Sequence, residues 1–531
     1  MSDNPKVLVY DCTLRDGTQG ENISLSVDDK FHIALKLDEF GVHYIEGGWP
    51  GSNDKDVRFF ERAKRHPWKN ARIAAFGMTR HWKNPVDQDP NIQALVEAET
   101  PVVTLVGKSW DFHVLRALGI ELDQNLQIVR ESVGYLKSLG KEVVFDAEHF
   151  FDGCAANAEY AFAVLDAAHA AGADWLVPCD TNGGSLPSAV AAAVQKLVKR
   201  FPRVGIHNHN DSELGVANSL VAVEAGAGMV QGTMNGYGER CGNANLCSVL
   251  PVLELKLGRE TVGPERMKGL TELAHFISET ANVVLPNNMP FVGKSAFAHK
   301  GGLHVSGILR DSRTYEHLEP ECVGNSRRVL VSDLSGKSNL MYKLKEFGDL
   351  DVSQVDLNAL LERIKKLEYE GYQFEGAEGS FKLLVHEFTG KSKDLFHFKA
   401  FRVLLDREPD GSLISEATIK VSVDGVDEHT AADGNGPVHA IDRAIKKALT
   451  RFFPEVEKIH LIDYKVRVLD ARQGTAAKVR VLIESTDGHE SWTTLGVSYN
   501  VIEASWDAIV DSIVYKLVFL PESKGVLQAG Q

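Results

Sequence analysis

Two pairs of ionisable residues follow short apolar runs, and three of these four side chains could hold a metal ion. Arg15 and Asp16 come shortly after "KVLVYD", and His207 and His209 lie two residues apart in "VGIHNHN". Side chains two positions apart on a strand point the same way, about 6.5–7 Å apart, so both imidazoles could bind one ion. With the aspartate they form a ligand set that suits Mn²⁺, Fe²⁺ or Zn²⁺, and Mg²⁺ less naturally. The residues leave the choice of ion open.

Such a cluster needs a scaffold that brings distant segments together. Over the first 260 residues, eight β-branched apolar runs alternate with amphipathic helical stretches such as "DDKFHIALKLDEFG", which ends at Gly41. Eight strand–helix units of even length predict an α/β fold, a parallel (β/α)8 TIM barrel, rather than an open doubly wound sheet. The predicted strands are 6–11, 42–48, 71–77, 101–107, 142–148, 174–180, 204–210 and 228–236.

Polar residues collect where the predicted strands end, which is the functional face of such a barrel. The Gly-rich segment "GTMNGYGERCGN" follows the eighth strand and is either a plain turn or a cover that brings Asn243 over the ion. The polar residues at the strand ends are Asp11, Thr13, Arg15, Asp16, Glu46, Asp146, Glu148, His149, Asp180, Thr181, His207, His209, Asp211, Asn235, Glu239, Arg240 and Asn243.

The rest of the chain has a different pattern. We predict a catalytic barrel over 1–265, a mainly helical linker region over 266–404, and a small α+β regulatory or dimerisation domain over 405–525. The last domain shows a weak twofold repeat of a strand–strand–helix unit. Within the linker, the segment 297–307, "FAHKGGLHVSG", is expected to form an Ω-like loop.

Composition and charge exclude several kinds of partner. The formal net charge of −15 argues against nucleic acid or an anionic membrane surface, because their phosphates would be repelled. The absence of an 18-residue apolar run and of a signal-peptide core predicts a cytoplasmic protein. The six cysteines contain no CxxC pair, so we interpret them as small buried residues in a reducing compartment.

Six motifs, in order along the chain, resemble the metal-dependent Claisen-condensing acyltransferases, the isopropylmalate, homocitrate and citramalate synthases. The resemblance covers essentially the whole chain, and the C-terminal module resembles the amino-acid-sensing domain of that family. The stretches "YIEGGWPGSN", "VGKSWD" and "DAEHFFDG" most resemble the members that convert acetyl-CoA, pyruvate and water into (R)-citramalate and CoA. The stretch "GTQGEN" departs from the isopropylmalate synthase pattern. The six motifs are "DCTLRDGTQG", "IEGGWPGS", "HNHND", "NGYGERCGN", "FAHKGGLH" and "VGNSRRVLVSDLSG".

The resemblance implies a metal-centred mechanism. Asp16, His207 and His209 resemble the metal ligands, and Asn243 would lie beside or on the ion. The 2-oxo acid would chelate an ion such as Mn²⁺, Mg²⁺ or Zn²⁺ that polarises its carbonyl group, with Asp16 also in contact with the substrate. Arg15 would bind the substrate and face the oxygen on which negative charge develops.

Further roles follow from the same resemblance. Thr181 resembles the residue that hydrogen-bonds the substrate carboxylate, and Glu148 resembles a glutamate implicated in acetyl-CoA activation. His304 and Tyr315 resemble linker residues that reach a catalytic centre, which in relatives belongs to the partner subunit. The base that deprotonates the acetyl methyl group is either Glu148 or His304.

The resemblance also implies regulation by isoleucine at the C-terminal domain, isoleucine biosynthesis as the pathway, and a homodimer. The chain could instead be an isopropylmalate or homocitrate synthase acting on another 2-oxo acid. An aldolase or lyase of the same barrel is disfavoured, because "FAHKGGLH" and the C-terminal module have no place in those shorter enzymes. A non-catalytic amino-acid sensor would also carry such a module, and the C-terminal domain could serve dimerisation alone.

Overall fold

The computed structural model describes residues 5–330, 337–347, 355–389, 395–469 and 476–520. The end of the motif "VGNSRRVLVSDLSG", 331–336, and the last residues of the predicted C-terminal domain, 521–525, lie outside the described residues. By contacts between residues, the chain divides into two units. One comprises Met1–Phe297 with Leu318–Arg327, and the other comprises Ala298–His317 with Arg328–Gln531.

The first unit contains a closed barrel of eight strands that pair in chain order. All pairs are parallel, and the first strand closes on the eighth with Leu8 opposite Met229, so the predicted TIM barrel is confirmed. Strands 7 and 8 end before the predicted limits of 210 and 236, which places His209 one residue beyond its strand. The strands are β1 (Leu8–Asp11), β2 (Tyr44–Gly48), β3 (Arg72–Met78), β4 (Val102–Lys108), β5 (Glu142–Glu148), β6 (Trp175–Asp180), β7 (Gly205–Asn208) and β8 (Met229–Gly232).

Helices separate the strands, and several of them, such as the first three, have a side-chain cap at the N-terminus. In the first helix, Ser26 and Asp29 form a capping box, and Gly41 closes the helix in the left-handed region at a φ of 92°. The helix predicted to stop at Gly41 is therefore confirmed. The helices of this unit are α1 (Val27–Phe40), α2 (Asp54–Ala63), α3 (Pro90–Glu97), α4 (Asp111–His113), α5 (Leu122–Ser138), α6 (Phe150–Ala170), α7 (Pro187–Arg200), α8 (Gly215–Glu224), α9 (Leu246–Pro251), α10 (Pro264–Met267) and α11 (Leu270–Thr280).

The barrel strands bury both faces, and their side chains alternate between two apolar layers. Val9 and Ile45 belong to the large core that includes the helices, whereas their neighbours Tyr10 and Tyr44 belong to a separate cluster. The Tyr10 hydroxyl meets Glu46 on β2 and Thr104 on β4, so this second cluster fills the barrel interior.

The prediction that the six cysteines are buried is confirmed for some of them. All six lie within the described residues, and none forms a disulfide. Cys12, Cys179 and Cys247 are buried, as predicted, whereas Cys241 is exposed in the loop after β8. Within the described ranges, every helix is too short or too polar to span a lipid bilayer.

The second unit ends in two copies of a three-stranded antiparallel sheet followed by a helix. The predicted strand–strand–helix repeat is therefore one strand short in each copy. The first strand of each sheet, His397–Arg407 and His460–Val468, is an edge strand with mostly exposed side chains, so it lacks the apolar alternation of buried strands. The elements are β11 (His397–Arg407), β12 (Leu413–Val423), β13 (Val426–Gly434), α16 (Pro437–Leu449), β14 (His460–Val468), β15 (Val479–Thr486), β16 (Ser491–Ser498) and α17 (Val501–Phe519).

In both copies a glycine on the third strand lets the helix approach the sheet. A Cβ at Gly434 would lie 2.3 Å from the backbone nitrogen of Ala440, and one at Gly496 would lie 2.1 Å from the carbonyl oxygen of Ala504. Real side chains do not fit at such distances, so glycine is required at both positions.

The remaining elements of this unit are two two-residue strands and four helices. The predicted Ω-like loop at 297–307 is wrong, because residues 302–308 form a helix whose Val305 and Ile308 are buried. The division of the chain at 265 and 404 stays a prediction, and residue 404 lies within β11. These elements are β9 (Ala298–His299), α12 (Gly302–Ile308), β10 (Arg328–Val329), α13 (Lys337–Glu346), α14 (Leu357–Glu370) and α15 (Glu378–Phe388).

Candidate active site

Three buried side chains form a cluster at the carboxyl end of the barrel strands. Asp16 lies in the loop after β1, His207 on β7 and His209 just past its end. Their ligand atoms all lie within 4.8 Å of one another. Nε2 of His207 is 3.8 Å from Oδ2 of Asp16, and the two imidazole centroids are 5.2 Å apart. The structure thus brings together the three residues predicted as metal ligands.

The protonation states of the cluster suit a cation. Burial lowers the pKa of His207 and lowers that of His209 to about 4, so both imidazoles are neutral at neutral pH. Burial acts to raise the pKa of Asp16, but the charge of Arg15, with the hydrogen bond from Asn243, outweighs it and holds that pKa well below its usual range. Metal ions bind neutral imidazoles and ionised carboxylates, so no proton has to leave these groups first.

A hydrogen-bonded chain behind His207 fixes its tautomer. Nε2 of Gln231 donates to Oδ1 of Asp146 at 2.9 Å, which turns the oxygen of Gln231 toward Nδ1 of His207, also at 2.9 Å. Nδ1 therefore carries the proton, and the lone pair of Nε2 faces Asp16. Gln231 and Asp146 orient a ligand without contacting the ion. Asp146 is among the strand-end residues predicted from the sequence, whereas Gln231 is missed there, and its signal is a polar residue in an otherwise apolar buried strand.

Asn243 adds a fourth candidate metal ligand to the cluster. A single β-bridge pairs it with His209, and its Nδ2 donates to Oδ1 of Asp16 and to the carbonyl oxygen of Tyr237, both at 2.9 Å. These two bonds fix the amide orientation. Its Oδ1 is buried without a hydrogen-bond partner among the described residues. A buried amide oxygen with no donor is costly, and a cation would satisfy it, so the residues present fit a divalent metal.

The Gly-rich loop after β8 packs tightly against Asn243. A Cβ at Gly238, where φ is 145°, would lie within van der Waals overlap of the Asn243 amide. Gly242, with a φ of 82°, leaves no room for a Cβ beside the carbonyl oxygen of Gly236. The glycines therefore allow a close approach of backbone to the candidate metal ligand.

Arg240 contacts His209 from the side of the same loop. Its Nη2 lies 3.2 Å from Nδ1 of His209, and its Nε donates to Oδ1 of Asp211 at 2.7 Å. The same Nη2 also donates to the carbonyl oxygen of Thr181 at 2.7 Å and to Oδ2 of Asp211 at 3.0 Å. Arg240 therefore ties the loop after β8 to the loops after β6 and β7 beside His209.

Arg15 is held on three sides. Its Nη1 donates to Oδ2 of Asp16 at 2.9 Å, its Nε donates to Oε1 of Glu46 at 2.5 Å, and its guanidinium carbon lies 3.8 Å from the ring centre of Phe76. Burial acts to lower the pKa of Arg15, but Glu46 and Asp16 outweigh it and raise that pKa further. Arg15 is thus a fixed cation beside the cluster. Phe76 is missed from the sequence, where it is an ordinary strand aromatic.

A layer of buried carboxyl groups lies beneath the cluster. The Tyr10 hydroxyl donates to Oε2 of Glu46 at 2.7 Å. Burial raises the pKa of Asp146 to about 8 and that of Asp11 to about 7. This layer supports Arg15 through Glu46, and it supports His207 through the chain that begins at Asp146.

Glu148 is the last residue of β5, and Thr181 directly follows the last residue of β6. Both therefore lie at the carboxyl end of the barrel. Glu148 and Lys108 are paired residues at the ends of β5 and β4, and their side chains form an ion pair. Oγ1 of Thr181 accepts a hydrogen bond from the backbone N–H of His149 at 2.8 Å. The hydroxyl proton of Thr181 is then available for an acceptor on a ligand. Lys108 is missed from the sequence, although it is a cation directly after its predicted strand.

His304 and Tyr315 belong to the second unit, whereas the cluster belongs to the first. Their rings stack with centroids 4.1 Å apart, and Tyr315 is 42% exposed. The structure therefore places these two predicted residues next to each other. Their predicted catalytic roles stay predictions.

Comparisons with known proteins cover nearly the whole chain. Residues 6–274 match the HMGL-like family, 291–371 match the homocitrate synthase post-HMGL domain-like family, and 375–517 match the LeuA allosteric (dimerisation) domain. The (R)-citramalate synthase of Aquifex aeolicus is 57% identical over 526 residues, which cover 98% of this chain and 99% of that protein. The chain belongs to the (R)-citramalate synthase family.

Two further members of the (R)-citramalate synthase family also match this chain over nearly its full length. The protein of Geobacter sulfurreducens is 53% identical, with 98% of this chain and 99% of its own covered. That of Synechocystis sp. is 49% identical, with 96% of each chain covered. The family predicted from the six motifs is confirmed.

Proposed function

We propose that this protein condenses acetyl-CoA with pyruvate and water to form (R)-citramalate and CoA. The observation that carries the proposal is the buried cluster of Asp16, His207 and His209 beside the fixed cation of Arg15. It occurs in a chain of which 98% is covered by the match to two (R)-citramalate synthases. A non-catalytic sensor would not need a preorganised cation beside three ligand atoms.

Asp16, His207, His209 and the oxygen of Asn243 would hold the divalent cation. The two imidazoles favour Mn²⁺ or Zn²⁺ over Mg²⁺, which prefers an all-oxygen shell. When bound, the cation supplies Lewis acidity toward the carbonyl group of the 2-oxo acid.

The residues of the chain perform the remaining steps. Arg15 places its positive charge where the keto oxygen of pyruvate gains negative charge, and the Thr181 hydroxyl donates to the pyruvate carboxylate. Glu148, paired with Lys108, accepts a proton from the acetyl methyl group, and the resulting carbanion forms the new carbon–carbon bond at the keto carbon. The π bond of the keto group breaks as this bond forms, and its oxygen takes up a proton to become the hydroxyl group of citramalate. Water then cleaves the thioester and releases CoA. His304, stacked on Tyr315, is the other candidate for the base.

The experiment is an assay of CoA release with a thiol reagent. The full-length protein is mixed with acetyl-CoA and, in turn, pyruvate, 2-oxoisovalerate or 2-oxoglutarate. We expect the highest kcat/KM with pyruvate. A higher value with either of the two larger acids would overturn the substrate assignment. Cleavage of citramalate to pyruvate without any CoA release would favour an aldolase.

The match of 375–517 to an allosteric dimerisation domain supports a homodimer inhibited by isoleucine. Exposed apolar side chains on its edge strands, such as Leu405 at 57% and Ile462 at 54%, also suit contact with a second copy. The variant I462K is expected to shift the mass measured by light scattering from dimer toward monomer and to weaken inhibition by isoleucine. Unchanged mass and inhibition would overturn this proposal. We also propose a cytoplasmic location, to be checked by cell fractionation.

A further inference from the structure

His304 and Tyr315 form a stack on the surface of the second unit. Both side chains are exposed, and neither has a hydrogen-bond or ion-pair partner within the described part of the chain. An exposed imidazole that is free to turn populates several rotamers, and fixing one of them costs conformational entropy. The direction of the His304 ring therefore depends on what holds the ring of Tyr315.

A buried pair anchors the segment that carries Tyr315. Nε2 of His299 lies 3.0 Å from Oε1 of Glu316, the residue after Tyr315, and the two side chains are 11% and 2% exposed. His299 ends β9, and its carbonyl oxygen accepts a hydrogen bond from the backbone N–H of Leu330, which follows β10. The pair therefore fixes the backbone beside Tyr315 relative to this two-stranded sheet.

A glycine on α12 makes room for the ring of Tyr315. A Cβ at Gly307 would lie 2.7 Å from Cε2 and 3.0 Å from Cδ2 of Tyr315. Such distances are too short for two carbon atoms, so any larger residue would displace the ring. Gly307 lies three residues after His304 in the same helix, and residues three apart share one helix face. The missing side chain therefore lets the Tyr315 ring reach His304 on that face.

We propose that His299, Glu316 and Gly307 are positioning residues for the condensation. The buried pair fixes the segment and the gap at Gly307 admits the ring, so Tyr315 holds His304 in one orientation. The inference rests on the proposed function, in which His304 is a candidate base. An exposed stack buries little apolar area, so two separate supports for it exceed what folding stability needs.

The first test fills the gap at Gly307. G307A should lower kcat about 10- to 100-fold, the effect of misplacing a catalytic group by about 1 Å, while the affinity for Mn²⁺ stays that of the wild type. G134A is the matched control, because Gly134 lies in α5 and a Cβ there would meet no described atom within 4 Å. Alanine favours the helix at both positions, so only G307A should lose activity. A normal kcat for G307A would overturn the proposal.

The second test breaks the buried pair. E316L removes the acceptor that faces His299 and should lower kcat as G307A does, whereas E316Q keeps an acceptor oxygen and should retain most of the activity. D487N is the matched control, because Asp487 forms another buried pair of this unit, with Lys516 on α17, and its loss should leave kcat unchanged.

The same substitution in an H304A background shows whether the pair acts through His304. There, E316L should cause no further loss of kcat. An equal fold-change with and without His304 would show that the pair supports the fold alone, and would overturn the proposal.

The third test needs no turnover, so it separates this inference from the proposed function. Diethyl pyrocarbonate acylates accessible neutral imidazoles, and mass spectrometry of the digested protein gives its rate of reaction at His304. Release of the Tyr315 ring should raise this rate in G307A and E316L but not in the two control variants. A raised rate in a protein that forms no citramalate would support the positioning and refute the proposed function. Unchanged rates, with normal turnover by the wild type, would refute the positioning alone.

Discussion

Nδ2 of Asn243 lies 2.9 Å from Oδ1 of Asp16, although 227 positions separate the two residues in the chain. The bond joins the loop after the first strand to the loop after the eighth, which are neighbours because the barrel closes between β1 and β8. It leaves the other atom of the Asn243 amide, Oδ1, buried and unpartnered within the described part of the chain.

The first prediction concerns Asn243. N243A removes the amide oxygen and the bond that orients Asp16, so metal affinity should fall about 10- to 100-fold. Titration of the metal-stripped protein with Mn²⁺ against a chelating dye measures the affinity, and circular dichroism checks that the variant is folded. An unchanged affinity would show that Asn243 neither binds the ion nor orients a ligand.

The second prediction concerns Gln231. Q231L removes the acceptor that holds the proton on Nδ1 of His207, so metal affinity should again fall about 10- to 100-fold. Q231E is the matched control, because its carboxylate still accepts from His207 and can accept from the protonated carboxyl group of Asp146, whose pKa burial raises to about 8. If Q231L and Q231E bind Mn²⁺ equally tightly, the orienting role is wrong.

The third prediction concerns Arg15. A lysine cannot donate to Glu46 and Asp16 from two separate nitrogens and stack on Phe76 at once, so R15K loses the fixed position of the charge. We expect kcat to fall about 10²- to 10³-fold, as for the loss of one oxyanion donor, while Mn²⁺ content stays near that of the wild type. Steady-state kinetics and metal analysis measure the two effects. A normal kcat with lysine would remove Arg15 from the mechanism.

The fourth prediction concerns stability and pH. Burial raises the pKa of Asp146 to about 8, above its value in the unfolded chain, so the native state binds the extra proton between about pH 4 and pH 8. The free energy of unfolding therefore falls as the pH rises through this window. D146N keeps an acceptor for Gln231 but does not ionise.

Urea unfolding of the metal-stripped proteins at pH 6 and pH 8 checks this prediction. Between the two pH values, D146N should lose about 1–2 kcal/mol less stability than the wild type. If the wild type and D146N lose equal stability between pH 6 and pH 8, Asp146 is not protonated in the native state.

Much of the barrel could be predicted because parallel strands buried on both faces appear as continuous apolar runs between amphipathic helices. The barrel topology then places Asp16, His207 and His209 at one rim, whatever their separation in the chain. These residues could be found because charged types are unexpected at the ends of buried strands.

What could not be predicted depends on neighbours in space. The partners of Arg15 on β2 and β3, Glu46 and Phe76, are set by strand register and side-chain direction, which one sequence does not give. The edge strands β11 and β14 expose most of their side chains, so no alternation marks them. The helix that carries His304 forms despite its glycines because Val305 and Ile308 are buried, a tertiary effect that overrides local propensity.

The most direct test of the central claim measures CoA release from acetyl-CoA and pyruvate by the full-length protein before and after metal stripping. The account predicts that stripping abolishes turnover, that Mn²⁺ or Zn²⁺ restores it, and that folded D16N and H207A stay inactive with added metal. Full turnover by stripped, folded D16N or H207A would contradict the account.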